Sequence, residues 1–259
     1  MTQTGDFSDE VLKNIDSIAQ DKDFLGLSNI WIRESIRYKY AHNFTWLGRP
    51  ILQVPQDIYA IQELIWKIKP DLIIETGIAH GGSLIMSASM LALLDYCEAT
   101  NLGLTLNPQE SRRHVLGIDV KIHPHNRAAI EAHPMAHLIE MIEGSSVDPR
   151  VIDQVKTRAK DYKNVLVFLD SNHIHDHVLA ELEAYAPLTS MGSYCVVWDT
   201  GIDGLPVNFY TDRPWDRGNN PKTAVYAYLK STDCFEIDNS FLYKLLITAS
   251  PDGFLRKIK

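Results

Sequence analysis

The chain has 259 residues, 45% hydrophobic and 22% charged, with 25 Lys and Arg against 33 Asp and Glu and a formal net charge of −8. At this length roughly three quarters of the unfolded surface can be buried in one core, which excludes disorder and small scaffolds that depend on staples. The acidic balance argues against a nucleic-acid partner, which a basic patch or stripe would serve. Cys97, Cys195 and Cys234 show no Cys-x-x-Cys spacing and suit a reducing cytoplasm. The polar start MTQTGDFSDEVLK lacks the form of a signal peptide. The longest apolar run, residues 84–94, is too short for a bilayer span of about 20 residues. A cytoplasmic protein acting on small molecules is expected, without a membrane span; edge strands and exposed aromatics are compatible with a homo-oligomer.

A helix is predicted over residues 7–20, followed by the aromatic-rich stretch IWIRESIRYKYAHNFTWLGRPILQVPQD. Residues 1–70 read as an N-terminal helical cap over one sheet edge, placed where a lid would be. From Asp71 on, near-continuous apolar runs alternate with helical periods: DLIIET, HVLGIDV, AHLIEMIEG, NVLVFLD and SYCVVWDT are read as buried parallel strands, with crossover helices between them. After the loop LPVNFYTDRPWDRGNNPK, a helix is predicted at residues 223–230. The runs CFEIDNS and YKLLITAS then form an antiparallel hairpin. The expected fold is α/β: a Rossmann-like, doubly wound, seven-stranded sheet, mostly parallel, over residues 71–259, forming one folding unit with the cap.

The first strand runs into IIETGIAHGGSL, a glycine turn opening a helix, where backbone N–H groups and a positive helix end face a ligand. Two cofactors compete for it. Gly77-x-Ala79-x-x-Gly82 imitates the dinucleotide fingerprint, but its second glycine is Ala79 and the acidic ribose residue about 20 positions on is missing. For S-adenosylmethionine, Glu75 would hold the amino group and Gly77, His80, Gly81, Gly82 and Ser83 the amino-acid moiety. Asp119 would bind the ribose, and Gly144, Ser145 and Ser146 are candidates for the adenine side. An insertion over residues 99–113 would explain the distance from the glycines to Asp119.

Asp170 and Asp199 end the fourth and fifth strands, so their carboxylates converge at one sheet edge, where a cation offsets the repulsion. Oxygen donors point to Mg²⁺ or a similar divalent ion. His173 and His177 are spaced i, i+4 as a zinc pair would be, without the Glu of His-Glu-x-x-His. His175 and His177 are expected on a solvated helix turn. His173, three residues after Asp170 and near a helix N-terminus, is the candidate general base, with metal ligation as its other role.

The blocks IIETGIAHGGS, FLDSNHIHDHVLAELEAYAPL and RPWDRGNNPKTAVYAYLK resemble those of the cephalosporin hydroxylase-type family, relatives of macrocin-type sugar O-methyltransferases, from about Tyr38 onward. The resemblance implies an S-adenosylmethionine-binding fold, a metal site and methyl transfer to oxygen, with Glu75, Gly77 and Asp119 for the cofactor and Asp170 and Asp199 for the metal. Relatives often carry an acidic pair at the end of strand five. Here Trp198 and Thr200 flank Asp199, which leaves His173 or Asp203 as third ligand. The position of the macrocin-type base is Asn172, which shifts the base to His173. The loop of residues 217–222 would close over the site, with Asn219 and Asn220 offered to sugar hydroxyls and Trp46, Trp198 or Trp215 to a sugar face. The expected activity is a metal-dependent O-methyltransferase acting on a sugar, glycosylated natural product or polysaccharide. The alternatives are an NAD-dependent nucleotide-sugar oxidoreductase and a non-catalytic accessory subunit of a two-component hydroxylase.

Overall fold

A computed structural model describes residues 3–259, with side chains from Phe7 onward; the first two residues of the polar start lie outside the described residues. The chain opens with helices α1 (Gln3–Gln20) and α2 (Lys22–Arg37), and the Asp21 carboxylate starts the second by accepting the Phe24 N–H. A hairpin follows, β1 (Phe44–Trp46) with β2 (Arg49–Ile51), turning through Leu47 and Gly48, both at positive φ. Two left-handed residues match the twist of the paired strands. Helix α3 (Pro55–Ile68) begins on a proline, whose missing N–H costs nothing at that position.

The remaining elements are β3 (Leu72–Thr76), α4 (Gly82–Leu102), β4 (His114–Asp119), α5 (Pro124–Glu131), β5 (Ile139–Glu143), α6 (Pro149–Ala159), β6 (Val165–Leu169), α7 (His175–Tyr185), β7 (Tyr194–Val197), α8 (Pro221–Ser231), β8 (Phe235–Ile237), α9 (Asn239–Leu245) and β9 (Phe254–Lys257). Seven strands form one sheet in the order β5-β4-β3-β6-β7-β9-β8, a seven-stranded Rossmann-like arrangement. The first five are parallel, and β9 runs antiparallel to both β7 and β8. The order reverses between β3 and β6, and ligands of such sheets bind beyond the carboxyl ends of the strands at this switch point.

One sheet face packs Ile73, Leu166 and Phe168 against α3 and α4 through Ile61, Leu64, Leu84 and Leu91. The other packs Leu72, Ile74 and Val167 against α6, α7 and α8 through Val155, Leu182 and Val225. Helix α3, from the first 70 residues, thus lies within the core.

The tail departs from expectation in its boundaries. YKLLITAS is not a strand: its first three residues end α9, and the strand paired with β8 is Phe254–Lys257. The Asp238 side chain takes the Ser240 N–H and starts a helix whose Phe241 stacks on Phe254, ring centroids 4.5 Å apart. A short apolar run satisfies either periodicity, and this packing decides for helix. Residues 99–113 are an insertion only in part, because α4 runs on to Leu102. Among the described residues no helix is long and apolar enough to cross a membrane.

Candidate active site

The turn after β3 begins at Gly77, with φ of +90°, and Ala79 and Gly81 also have positive φ. A Cβ on Gly77 would collide with the Asp170 carbonyl, one on Gly82 with the Pro50 carbonyl and one on Gly81 with the Ile130 side chain. These glycines therefore allow the close approach of the protein's own chain, and Gly77 also lines the cleft where the cofactor is expected. Arg49 donates to the His80 carbonyl (2.6 and 3.0 Å) and to Asn126 Oδ1, while Asn126 Nδ2 donates to the Ala79 carbonyl (2.9 Å). Asp119, ending β4, accepts the N–H groups of Ile78 (2.9 Å), Ala79 (3.3 Å) and Lys121 (3.0 Å). Its carboxylate clamps the turn as well as facing the cleft.

That cleft, about 160 Å³, is lined by Gly77, Asp119, Ser145, Ser146, Asn172 and His177 among others, at the ends of β3, β4, β5 and β6. Gly144 braces it from behind, its N–H on the Asp119 carbonyl (2.8 Å). Beneath, Ser146 and Ser171 hydroxyls lie 3.1 and 3.2 Å from His177 Nε2, and Ser171 donates to the fully buried Glu181 (2.6 Å). His177 is thus a wall of the cleft rather than a solvated residue. His175 Nδ1 meets Thr223 Oγ1 at 2.8 Å and ties α7 to α8.

Glu75 is buried on β3, hydrogen-bonded by Ser83, with its Oε2 unpartnered. Burial pushes its carboxyl up to about 7. A buried acceptor without a donor fits a cationic amino group, the group Glu75 is expected to hold.

Beside the cleft, Asp170, His173 and Asp199 each offer one ligand atom, all within 4.8 Å of one another. Burial, then the charges of Asp199 and Glu75, push the Asp170 carboxyl well above the usual carboxylate range. Burial and neighbouring carboxylates both disfavour its charged form, and a cation there would offset both. Two carboxylates and an imidazole suit a divalent cation, so the donor set fits the expected metal. His173 Nε2 lies 3.2 Å from Asp199 Oδ2, and the His173 ring abuts the Trp215 edge with centroids 4.7 Å apart. Asp199 holds a left-handed φ of +56°, a conformation that persists at non-glycine positions only where its surroundings enforce it.

Several expected residues are elsewhere engaged. Asn220 is fully buried: its Oδ1 accepts the Lys222 and Thr223 N–H groups to cap α8, and its Nδ2 donates to Asp203 and the Asp216 carbonyl. It is a capping residue and offers nothing to a sugar. Asp203 is taken up by Asn220 Nδ2 and the Gly218 N–H and stands outside the metal-type cluster, which His173 completes instead. Asn219 Oδ1 accepts the His175 N–H (3.1 Å), fixing its loop to the start of α7. Trp198 is buried against Phe168 and Phe254, and Trp46 donates to Ser89, so of the three tryptophans Trp215 is the one at the site. His173 and His177 face different groups and form no zinc pair.

The sequence reading missed Gln53, whose Nε2 donates to Asp170 Oδ2 (3.1 Å), and Arg49. It also missed His42, held below its ordinary pKa by burial and Lys39, and near enough to Asp199 and His80 to feel both charges. All three precede β3 and carry no motif, so no local sequence pattern marked them.

A family model described as rhamnosyl O-methyltransferase/CmcI matches residues 38–258. The chain is similar to the rhamnosyl O-methyltransferase of Mycobacterium leprae, 28% identical over 233 residues covering 86% of this chain and 90% of the relative. It is likewise similar to that of Mycobacterium tuberculosis, 28% identical over 219 residues covering 82% and 77%. Two solved structures of CmcI share its fold. The apo form is 17% identical with a TM-score of 0.54, over 84% of this chain and 77% of that one. The form with Mg and SAM is 16% identical with a TM-score of 0.53, over 84% and 78%.

Proposed function

Because the chain belongs to the rhamnosyl O-methyltransferase/CmcI family, we propose that it transfers the methyl group of S-adenosylmethionine to a hydroxyl of a sugar, on a glycosylated natural product or polysaccharide, with a divalent cation such as Mg²⁺ held by Asp170, His173 and Asp199. The observation that carries this reading is adjacency. Gly77, a wall of the cleft, packs on the Asp170 backbone, so the cofactor cleft and the metal-type cluster share one wall. Glu75 binds the cofactor's amino group, Asp119 faces the ribose, and Ser145 and Ser146 face the adenine, with Ser83 orienting Glu75. Trp215 offers its ring to the sugar.

The transfer breaks a carbon–sulfur bond, forms a carbon–oxygen bond and releases the hydroxyl proton to solvent water. A bound divalent cation lowers the pKa of the acceptor hydroxyl. Asp170 is fixed by the β6 terminus and Asp199 by its strained turn, so the donors are arranged before any ligand arrives. We assign His173 to the metal because one of its ring nitrogens is grouped with both carboxylates. Loss of a ligand raises the metal concentration needed for half-maximal turnover, whereas loss of a base lowers kcat about 10²-fold or more at saturating metal. His173→Gln separates the two.

The test is calorimetric titration of the metal-stripped protein with S-adenosylmethionine and with NADH, each with and without Mg²⁺, followed by mass spectrometry of rhamnosides incubated with S-adenosylmethionine. Binding of S-adenosylmethionine and Mg²⁺-dependent methylation are expected. NADH binding alone would overturn the reading, and binding of neither would favour a non-catalytic accessory role. Asp170→Ala or Asp199→Ala should abolish turnover while cofactor affinity stays within a few-fold; equal, large losses of both would overturn the assigned roles.

A further inference from the structure

We propose that the segment leading into α3 forms an outer layer of the metal site, with Gln53 and Asp57 as positioning residues for Asp170 and Asp199. The inference rests on the metal reading above and assigns a role to a segment outside the β/α alternation that carries the ligands.

Gln53 is 6% exposed, and its amide Nε2 donates to Asp170 Oδ2 at 3.1 Å. Among the described residues it is the side chain that donates to that carboxylate. Holding Oδ2 restrains the plane of the carboxyl group while the other oxygen stays available to a cation. A buried amide that directs one oxygen of a ligating carboxylate is a recurring outer partner of metal sites, and its loss typically costs 10- to 100-fold in metal affinity.

Asp57 reaches Asp199 by another route. It is fully buried, and its Oδ2 accepts the Ala249 N–H at 2.8 Å. The Ala249 carbonyl accepts the Gly201 N–H at 3.0 Å, and Thr200 Oγ1 donates to the Pro251 carbonyl at 2.6 Å. Thr200 and Gly201 directly follow Asp199, whose left-handed backbone must be enforced from outside. Asp57 holds the strap of residues 249–251, and the strap holds the turn that presents Asp199. Two side chains four positions apart therefore brace both carboxylates from one segment.

The experiment uses the full metal-stripped chain, with Mn²⁺ as the probe and free Mn²⁺ read by electron paramagnetic resonance. S-Adenosylhomocysteine affinity and melting temperature are measured in parallel. Gln53→Met and Asp57→Ala should each raise the Mn²⁺ Kd about 10- to 100-fold, with S-adenosylhomocysteine affinity within twofold. Asp57→Asn, which keeps an oxygen for the Ala249 N–H, should remain near wild type, and excess Mn²⁺ should restore turnover in Gln53→Met. If one variant fails to fold, the Asp57→Ala and Asp57→Asn pair or Gln53→Met alone decides. Unchanged Mn²⁺ affinity in folded variants overturns the proposal while leaving the metal reading intact. Parallel loss of Mn²⁺, S-adenosylhomocysteine and melting temperature assigns the segment a merely structural role and overturns it too. A wild-type protein that binds no Mn²⁺ overturns the metal reading and this inference together.

Discussion

Glu75 lies buried on β3 with one carboxylate oxygen lacking a partner. Its carboxyl, raised to about 7 by burial, is largely protonated in the ligand-free protein below neutral pH. A cationic amino group placed beside it favours the carboxylate, so binding near pH 7 should expel about half a proton. Calorimetry in buffers of different ionisation enthalpy would show that proton, and Glu75→Gln should abolish it; a buffer-independent enthalpy in the wild type would remove Glu75 from the amino group. Asp57 is raised to about 7 as well, mainly by burial. Between the ordinary carboxylate range and pH 7 the folded state holds more protons than the unfolded one, so both groups withdraw stability as pH rises through that window. The melting temperature of the ligand-free protein should fall from pH 5 to pH 8, less steeply in Glu75→Gln. The convergence of Asp170 and Asp199 was legible in the sequence because each follows a β-run, where position alone brings a side chain to one sheet edge. Gln53 and Asp57 were not, because what brings them to that edge is the docking of α3 on α4, a tertiary event with no local pattern.

The start of α8 shows how a helix end can imitate a binding loop. RGNNPK invites a reading as a polar lid, yet Asn220 caps the helix and gathers Asp203 and the Asp216 carbonyl to itself. Asn220→Ala should cost about 1–2 kcal/mol of stability through the lost cap, seen in denaturant unfolding, with acceptor KM unchanged. A raised acceptor KM at unchanged stability would return Asn220 to the substrate. Four of the five parallel strands, β3, β4, β6 and β7, were plain in the sequence because strands buried on both faces are largely apolar, whereas the edge strand β5 interleaves Glu140 and Glu143 with its apolar residues. The last strand was not: Phe254, Leu255, Arg256 and Lys257 carry a mixed pattern, whereas the more apolar YKLLI belongs to α9 and its exit. An edge-side strand covered by a helix needs no continuous apolar run, so hydropathy alone favoured the wrong segment.

Taken together, the acidic groups make folding and ligand binding one linked equilibrium. Burial raises the carboxyls of Glu75 and Asp170, and a cation placed beside either would favour its ionised form. A ligand that binds only the folded chain stabilises it by about 2.7 kcal/mol at a hundred times its Kd. For a chain of this size that is on the order of 5–10 °C in melting temperature. Mg²⁺ should raise the melting temperature of the wild type, and Asp170→Ala should remove the rise; an equal rise in both would place the ion elsewhere. The position of β9 between β7 and β8 bears on synthesis as well. Residues 194–197 leave the ribosome long before residues 254–257, and until then one flank of β7 has no partner strand. The turn that presents Asp199 also waits for residues 249–251. A nascent chain halted before residue 249 should therefore carry its parallel strands and remain open to protease around residues 194–201, with the Asp199 turn set only once residues 249–257 thread in.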